Sequence, residues 1–129
     1  MNPLQAYQGY QVQTASPGEQ VAMLYEGARR FADLALRGLE EGRPEDVSLY
    51  TGKAQRILEE LALCLNHDAG EIAGNLDRLY EYWRWRLGQG LIKQEPGAYR
   101  EVSEALGQMA EAWREAARSL KVQRAAVHG

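Results

Sequence analysis

Residues 96–120, PGAYREVSEALGQMAEAWREAARSL, carry apolar side chains at Tyr99, Val102, Leu106, Met109, Trp113, Ala116 and Leu120. Steps of three and four residues return a side chain to the same face of a helix, so this stretch reads as one long amphipathic α-helix. Pro96 suits its first position, where a missing N–H removes no hydrogen bond. The rest of the chain follows the same pattern. Ser16-Pro17-Gly18-Glu19 offers a cap, a proline and a glutamate three residues after the cap, ahead of a stripe at Val21, Leu24, Ala28, Phe31, Ala35 and Leu39. Pro44 opens a second stripe at Val47, Tyr50, Ala54, Ile57, Leu61 and Cys64. A third, at Ile72, Leu76, Leu79, Trp83 and Leu87, follows Asp68-Ala69-Gly70-Glu71, where Asp68 is expected to cap and Glu71 to reach back. Helices are therefore expected near 17–41, 44–66, 69–90 and 96–120, and no segment alternates as a strand does.

Similar helix lengths and short connections predict an all-α, antiparallel up-and-down four-helix bundle. The expected bundle spans 16–120, preceded by an extended N-terminal strap over 1–15 and followed by a fraying tail over 121–129. At 129 residues and 45% hydrophobic, the chain is long enough for one ordinary apolar core. A single cysteine, Cys64, cannot close a disulfide within the chain, and the first residues lack the charged and apolar regions of a secretion signal. A cytoplasmic location is expected. The mean hydropathy is −0.51, and no uninterrupted apolar run reaches the roughly 20 residues that membrane insertion needs. The net charge of −3 removes the general electrostatic attraction to nucleic acid.

Some apolar residues exceed what one core consumes. At about 100° per residue, Met23 and Leu34 fall off the first stripe, Leu49 and Leu63 off the second, and Tyr82 and Trp85 off the third. Leu58 and Leu65 widen the second stripe on one flank, and Tyr25 and Tyr80 widen theirs. Together they predict a second apolar surface, covered by the chain's own termini, by a second copy or by a partner. Leu4, Tyr7, Tyr10 and Val12 make the N-terminal strap one such cover. Interior glycines at 27, 38, 52, 74, 88 and 107 fit either close helix approach or packing left soft enough to shift.

No catalytic constellation emerges, and no cofactor or metal is expected. His67 falls in a connection and His128 in the tail, no Glu-x-x-His pair marks a di-iron bundle, and nucleotide-binding and nucleophile motifs are missing. Cys64 continues an apolar stripe, as a small buried hydrophobe does. The basic residues Arg114, Arg118, Lys121 and Arg124 complement the negative end of the last helix.

Ala6-Tyr7-Gln8, Thr14-Ala15-Ser16-Pro17-Gly18-Glu19 and Met23-Leu24-Tyr25-Glu26-Gly27-Ala28 form an ordered set of motifs. It continues through residues 53–61, KAQRILEEL, and 75–82, NLDRLYEY, to Glu111-Ala112-Trp113. Over residues 6 to about 118 this order resembles the FliS family of flagellin-specific export chaperones. One stretch departs from it: Gly88-Gln89-Gly90-Leu91-Ile92 stands where the family has an Ala-Asn pair. The resemblance implies a small cytoplasmic bundle without enzymatic activity. It would bind the disordered C-terminal segment of flagellin, prevent premature polymerisation and deliver it to the flagellar type III export gate, with other flagellar proteins as further partners. It implies that Tyr7 and Tyr10 belong to an N-terminal cap or contact the client, and that the less buried among Ile57, Leu61, Leu65, Leu76 and Tyr80 line a client groove. Tyr82 and Trp85 join this client-binding set on the stripe argument alone. The alternative use of the same apolar surplus is a homodimeric structural or regulatory bundle that does not bind flagellin.

Overall fold

A computed structural model of the chain describes residues 17–128, with side chains over 18–120 and at Gln123. It contains α1 (Pro17–Glu40), α2 (Pro44–Leu63), α3 (Glu71–Lys93) and α4 (Pro96–His128), with a short 3-10 turn, His67–Ala69, before α3. Each helix packs on its neighbours in the chain and α4 closes against α1, so α1 stands diagonally opposite α3, and α2 opposite α4. This is the expected antiparallel up-and-down bundle. The expected strap, with the cap at Ser16, lies outside the described residues.

Helix ends differ from expectation for local reasons. α2 stops at Leu63 because Asn66 takes an extended conformation and its side chain accepts the Asp68 N–H at 3.1 Å, starting the 3-10 turn. Asn66 thus performs the capping expected of Asp68. Gly70, at φ 86°, then leads into α3 with no side-chain cap of its own. α3 runs past Gly88 and Gly90 to Lys93 and ends at Gln94 in the left-handed region, φ 54°, whose N–H bonds the Gly90 carbonyl. α4 continues as helix beyond 120 to His128.

The core draws on all four helices. Ala22, Ala28, Ala32 and Ala35 make the buried face of α1 small enough for its two flanking helices to approach closely, while Tyr25, Tyr80, Leu87, Leu106 and Trp113 fill the centre. Two buried hydroxyl pairs bridge the diagonals. Tyr25 on α1 meets Tyr80 on α3 at 2.5 Å, and Thr51 on α2 meets Tyr99 on α4 at 2.7 Å. A buried hydroxyl without a partner is costly, so each pair favours one alignment of its two helices. Burial drives the Tyr25 phenol far above its ordinary pKa, Tyr80 reinforces the shift, and the Trp113 indole opposes it. Burial likewise raises Tyr99, against the opposing hydrogen bond from Thr51.

The glycines divide by what surrounds them. A Cβ at Gly90 would sit 2.8 Å from Tyr99 Cε2 and 3.0 Å from Ala98 Cβ, so this glycine lets the end of α3 lie against the start of α4. At Gly52 a Cβ would meet nothing within 4 Å. Gly90→Ala is therefore expected to destabilise the fold by about 1–3 kcal/mol through overpacking. Gly52→Ala is expected to stabilise it by about 0.5–1 kcal/mol through helix propensity. Urea unfolding of both variants checks the opposite signs; a neutral Gly90→Ala would show that the α3–α4 contact does not depend on the missing Cβ.

Candidate functional site

Among the described residues, the exposed large apolar side chains are those of Met23, Leu49, Leu63, Tyr82, Trp85 and Ile92. Five of these lie on α2 and α3. On α3, Leu76, Tyr80, Trp83 and Leu87 turn inward, which forces Tyr82 and Trp85 outward at 42% and 57% exposure. Leu63 ends α2 at 77% exposure. Ile92 lies beyond the helix end expected from the sequence, yet α3 reaches Lys93, so Ile92 stands seven residues after Trp85 and shares its face.

One side-chain hydrogen bond fixes the α2–α3 register. Gln55 Nε2 donates to the Arg84 carbonyl at 3.0 Å, and a Cβ at Gly88 would lie 3.5 Å from the same nitrogen. Counting outward from this level in antiparallel helices brings Leu49 level with Ile92, and Leu63 level with the first turns of α3. At 1.5 Å per residue the apolar positions span roughly 20 Å, with Trp85 near the middle.

The aromatic part of this face is held in place. Tyr82 and Trp85 have ring centroids 5.9 Å apart. The Tyr82 hydroxyl donates to Glu101 Oε2 at 2.5 Å, and Arg86 Nε donates to Glu101 Oε1 at 3.0 Å. A second arm of Arg86 reaches Glu95 Oε2 at 2.9 Å, tying α3, the connection and α4 into one clasp. The Tyr82 hydrogen bond, followed by Arg86, holds the Glu101 carboxyl below the usual carboxylate range. The same hydrogen bond raises the Tyr82 phenol. Fixed aromatic edges present apolar area with little side-chain entropy left to lose on binding.

The expected site residues separate by burial. Tyr82 and Trp85 face solvent. Ile57 is half-buried on the α1 side of α2, where a Cβ at Gly27 would lie 3.4 Å from its Cδ1. Leu61 and Tyr80 are fully buried, and Leu65 and Leu76 nearly so. In this conformation these four build the core instead of lining a groove. Leu61 and Leu65 occupy the inward side of α2, and the Tyr80 hydroxyl is engaged by Tyr25. Tyr7 and Tyr10 lie outside the described residues. Among the described helices, none is long and apolar enough to cross a membrane.

Comparison with known proteins agrees with the bundle and its motifs. Residues 1–120 match the family model described as flagellar protein FliS. The flagellar secretion chaperone FliS of Bacillus subtilis is 36% identical over 118 residues, covering 92% of this chain and 88% of that protein. Its counterpart in Salmonella typhimurium is 35% identical over 106 residues, covering 81% and 78%. That of Vibrio cholerae is 32% identical over 115 residues, covering 85% of both. With the family pattern extending from the N-terminus through most of α4, and identities above 30% across most of each partner, the chain belongs to the FliS family of flagellar proteins.

Proposed function

We propose that this chain is a cytoplasmic flagellar export chaperone. It binds the disordered C-terminal segment of flagellin, prevents its premature polymerisation and delivers it to the flagellar type III export apparatus. The observation that carries this reading is a surplus of exposed apolar side chains, Leu49, Leu63, Tyr82, Trp85 and Ile92, beside a core that is complete without them. A disordered segment that folds on binding loses about 2–5 kcal/mol or more in ordering, which a broad apolar surface offsets. An amphipathic helix laid along α2 and α3 would place its own apolar residues against Trp85 and its neighbours. The names of the relatives, flagellar secretion chaperones, support the same assignment.

Calorimetry with flagellin and with flagellin lacking its C-terminal segment tests the proposal. One-to-one binding to the intact protein, with a negative heat-capacity change, and loss of binding to the truncated one are expected. A stable dimer in sedimentation that ignores both forms of flagellin would instead support the homodimeric reading.

A further inference from the structure

The outer face of α1 carries a second, chemically different surface. Glu26, Arg29, Arg30, Asp33, Leu34 and Arg37 line an open hollow of about 430 Å³. The side of the hollow toward α4 is already engaged. Glu26 pairs with Arg114 at 3.5 Å and with Arg29 at 3.9 Å, and Asp33 accepts the Ser103 hydroxyl at 2.5 Å. On the other side, Arg30 and Arg37 are exposed and form no ion pair among the described residues, with half-buried Leu34 between them. Met23, exposed at 63%, continues the stripe two turns before Arg30.

We propose that this face docks an acidic amphipathic helix of a partner protein, with carboxylates two turns apart on Arg30 and Arg37 and an apolar side chain on Leu34. The two arginines are separated by about 10 Å along the helix axis, so one small anion bridging them would leave Leu34 and Met23 facing water. A helix with carboxylates at seven-residue spacing and apolar residues between satisfies all four positions, and each guanidinium can meet its carboxylate in a two-pronged hydrogen bond. Nucleic acid fits less well, because Leu34 and Met23 offer a phosphate backbone nothing, whereas an amphipathic helix covers them with apolar side chains. Because α1 stands diagonally opposite α3, this face remains free when the α2–α3 face is covered, and the proposal holds whatever covers it.

The probe is a synthetic helical peptide of roughly 20 residues with glutamates seven apart and leucines between them. Fluorescence anisotropy is expected to show salt-dependent binding to the full chain, weakened at least about tenfold in Arg30→Glu/Arg37→Glu. Arg30→Lys/Arg37→Lys, which keeps the charge but loses the two-pronged geometry, should fall between the parent and the charge-reversed pair. NMR shifts on peptide addition should centre on Leu34 and the two arginine side chains. Both arginines are exposed, so circular dichroism and melting should match the parent; if the charge-reversed pair fails to fold, the lysine pair and the shift map carry the test. Four outcomes would overturn the proposal: no binding, affinity indifferent to the charge reversal, shifts centred on Trp85 and Leu63, or preference for a single-stranded DNA of similar length. So would a homodimer of the parent chain that the charge reversal dissociates, since the occupant would then be a second copy.

Discussion

Raising the pH above about 10 is expected to remove stability at about 1.4 kcal/mol per pH unit through Tyr25, with Tyr99 adding to the loss in the same direction. Tyr25 and Tyr99 are both fully buried, and burial holds their phenols above the ordinary tyrosine value. In the unfolded chain each ionises near pH 10, while in the folded chain each stays neutral to higher pH. The stability they confer is therefore complete below pH 10 and declines as pH rises toward their folded values, because unfolding then releases a proton from each. One proton, that of Tyr25, contributes about 1.4 kcal/mol per pH unit, and Tyr99 adds to it in the same direction. Tyr82 shifts in the same direction, but it is exposed and solvent screens its effect. Against a domain stability of roughly 5–15 kcal/mol, the loss through Tyr25 reaches about 3 kcal/mol by pH 12. Urea unfolding from pH 8 upward measures the slope, and Tyr25→Phe should lower it by about 1.4 kcal/mol per pH unit. A slope unchanged by that substitution would mean that Tyr25 ionises without unfolding the bundle.

The same phenols show where sequence reasoning reaches its limit. Periodicity located all four helices, and on α4 it picked out Tyr99, Val102, Leu106 and Trp113, all buried. On α2 it identified the helix but centred its inner face on the wrong flank. The stripe through Tyr50, Ile57 and Cys64 proved half-buried, whereas Leu58, Leu65 and Thr51 face inward. When both flanks of a stripe are apolar, spacing alone cannot choose the centre. Here the partner makes the choice, because Thr51 becomes an inward residue only through the Tyr99 hydroxyl on the diagonal helix. Tyr25 and Tyr80 widened their stripes in the sequence for a similar reason, since pairing allows two polar hydroxyls to be buried.

The outer face was legible where the core was ambiguous. Leu63, Tyr82 and Trp85 lie far enough off their stripes for helix geometry alone to place them outside, and there they stand. Ile92 was missed through the helix end, which glycines at 88 and 90 made look earlier than it is. Gly90 is retained inside α3 because the Tyr99 ring occupies the space where its side chain would be. Single-helix patterns contain no trace of such a contact between two helices. The clasp of Tyr82, Arg86, Glu95 and Glu101 is likewise invisible until α3 and α4 are set side by side.

Trp85→Ala is expected to weaken binding of the flagellin C-terminal segment by about 2 kcal/mol or more, roughly 30-fold in Kd, while leaving the fold's stability within about 0.5 kcal/mol. The indole is more than half exposed and packs at a tilt against Tyr82, so its removal opens no interior cavity. Its position near the middle of the apolar row is where a covering helix would exclude water most completely. Leu63→Ser, at the end of the row, should cost less affinity because the rim remains wet. Leu61→Ala supplies the contrast. This side chain is fully enclosed, so its truncation should reduce stability by about 2–5 kcal/mol while changing affinity little under conditions where the variant remains folded. Paired urea titrations and calorimetry separate the two effects. If Trp85→Ala leaves affinity intact and Leu61→Ala abolishes it in a folded variant, flagellin must enter the interior of the bundle, and the outer face of α2 and α3 is not where it binds.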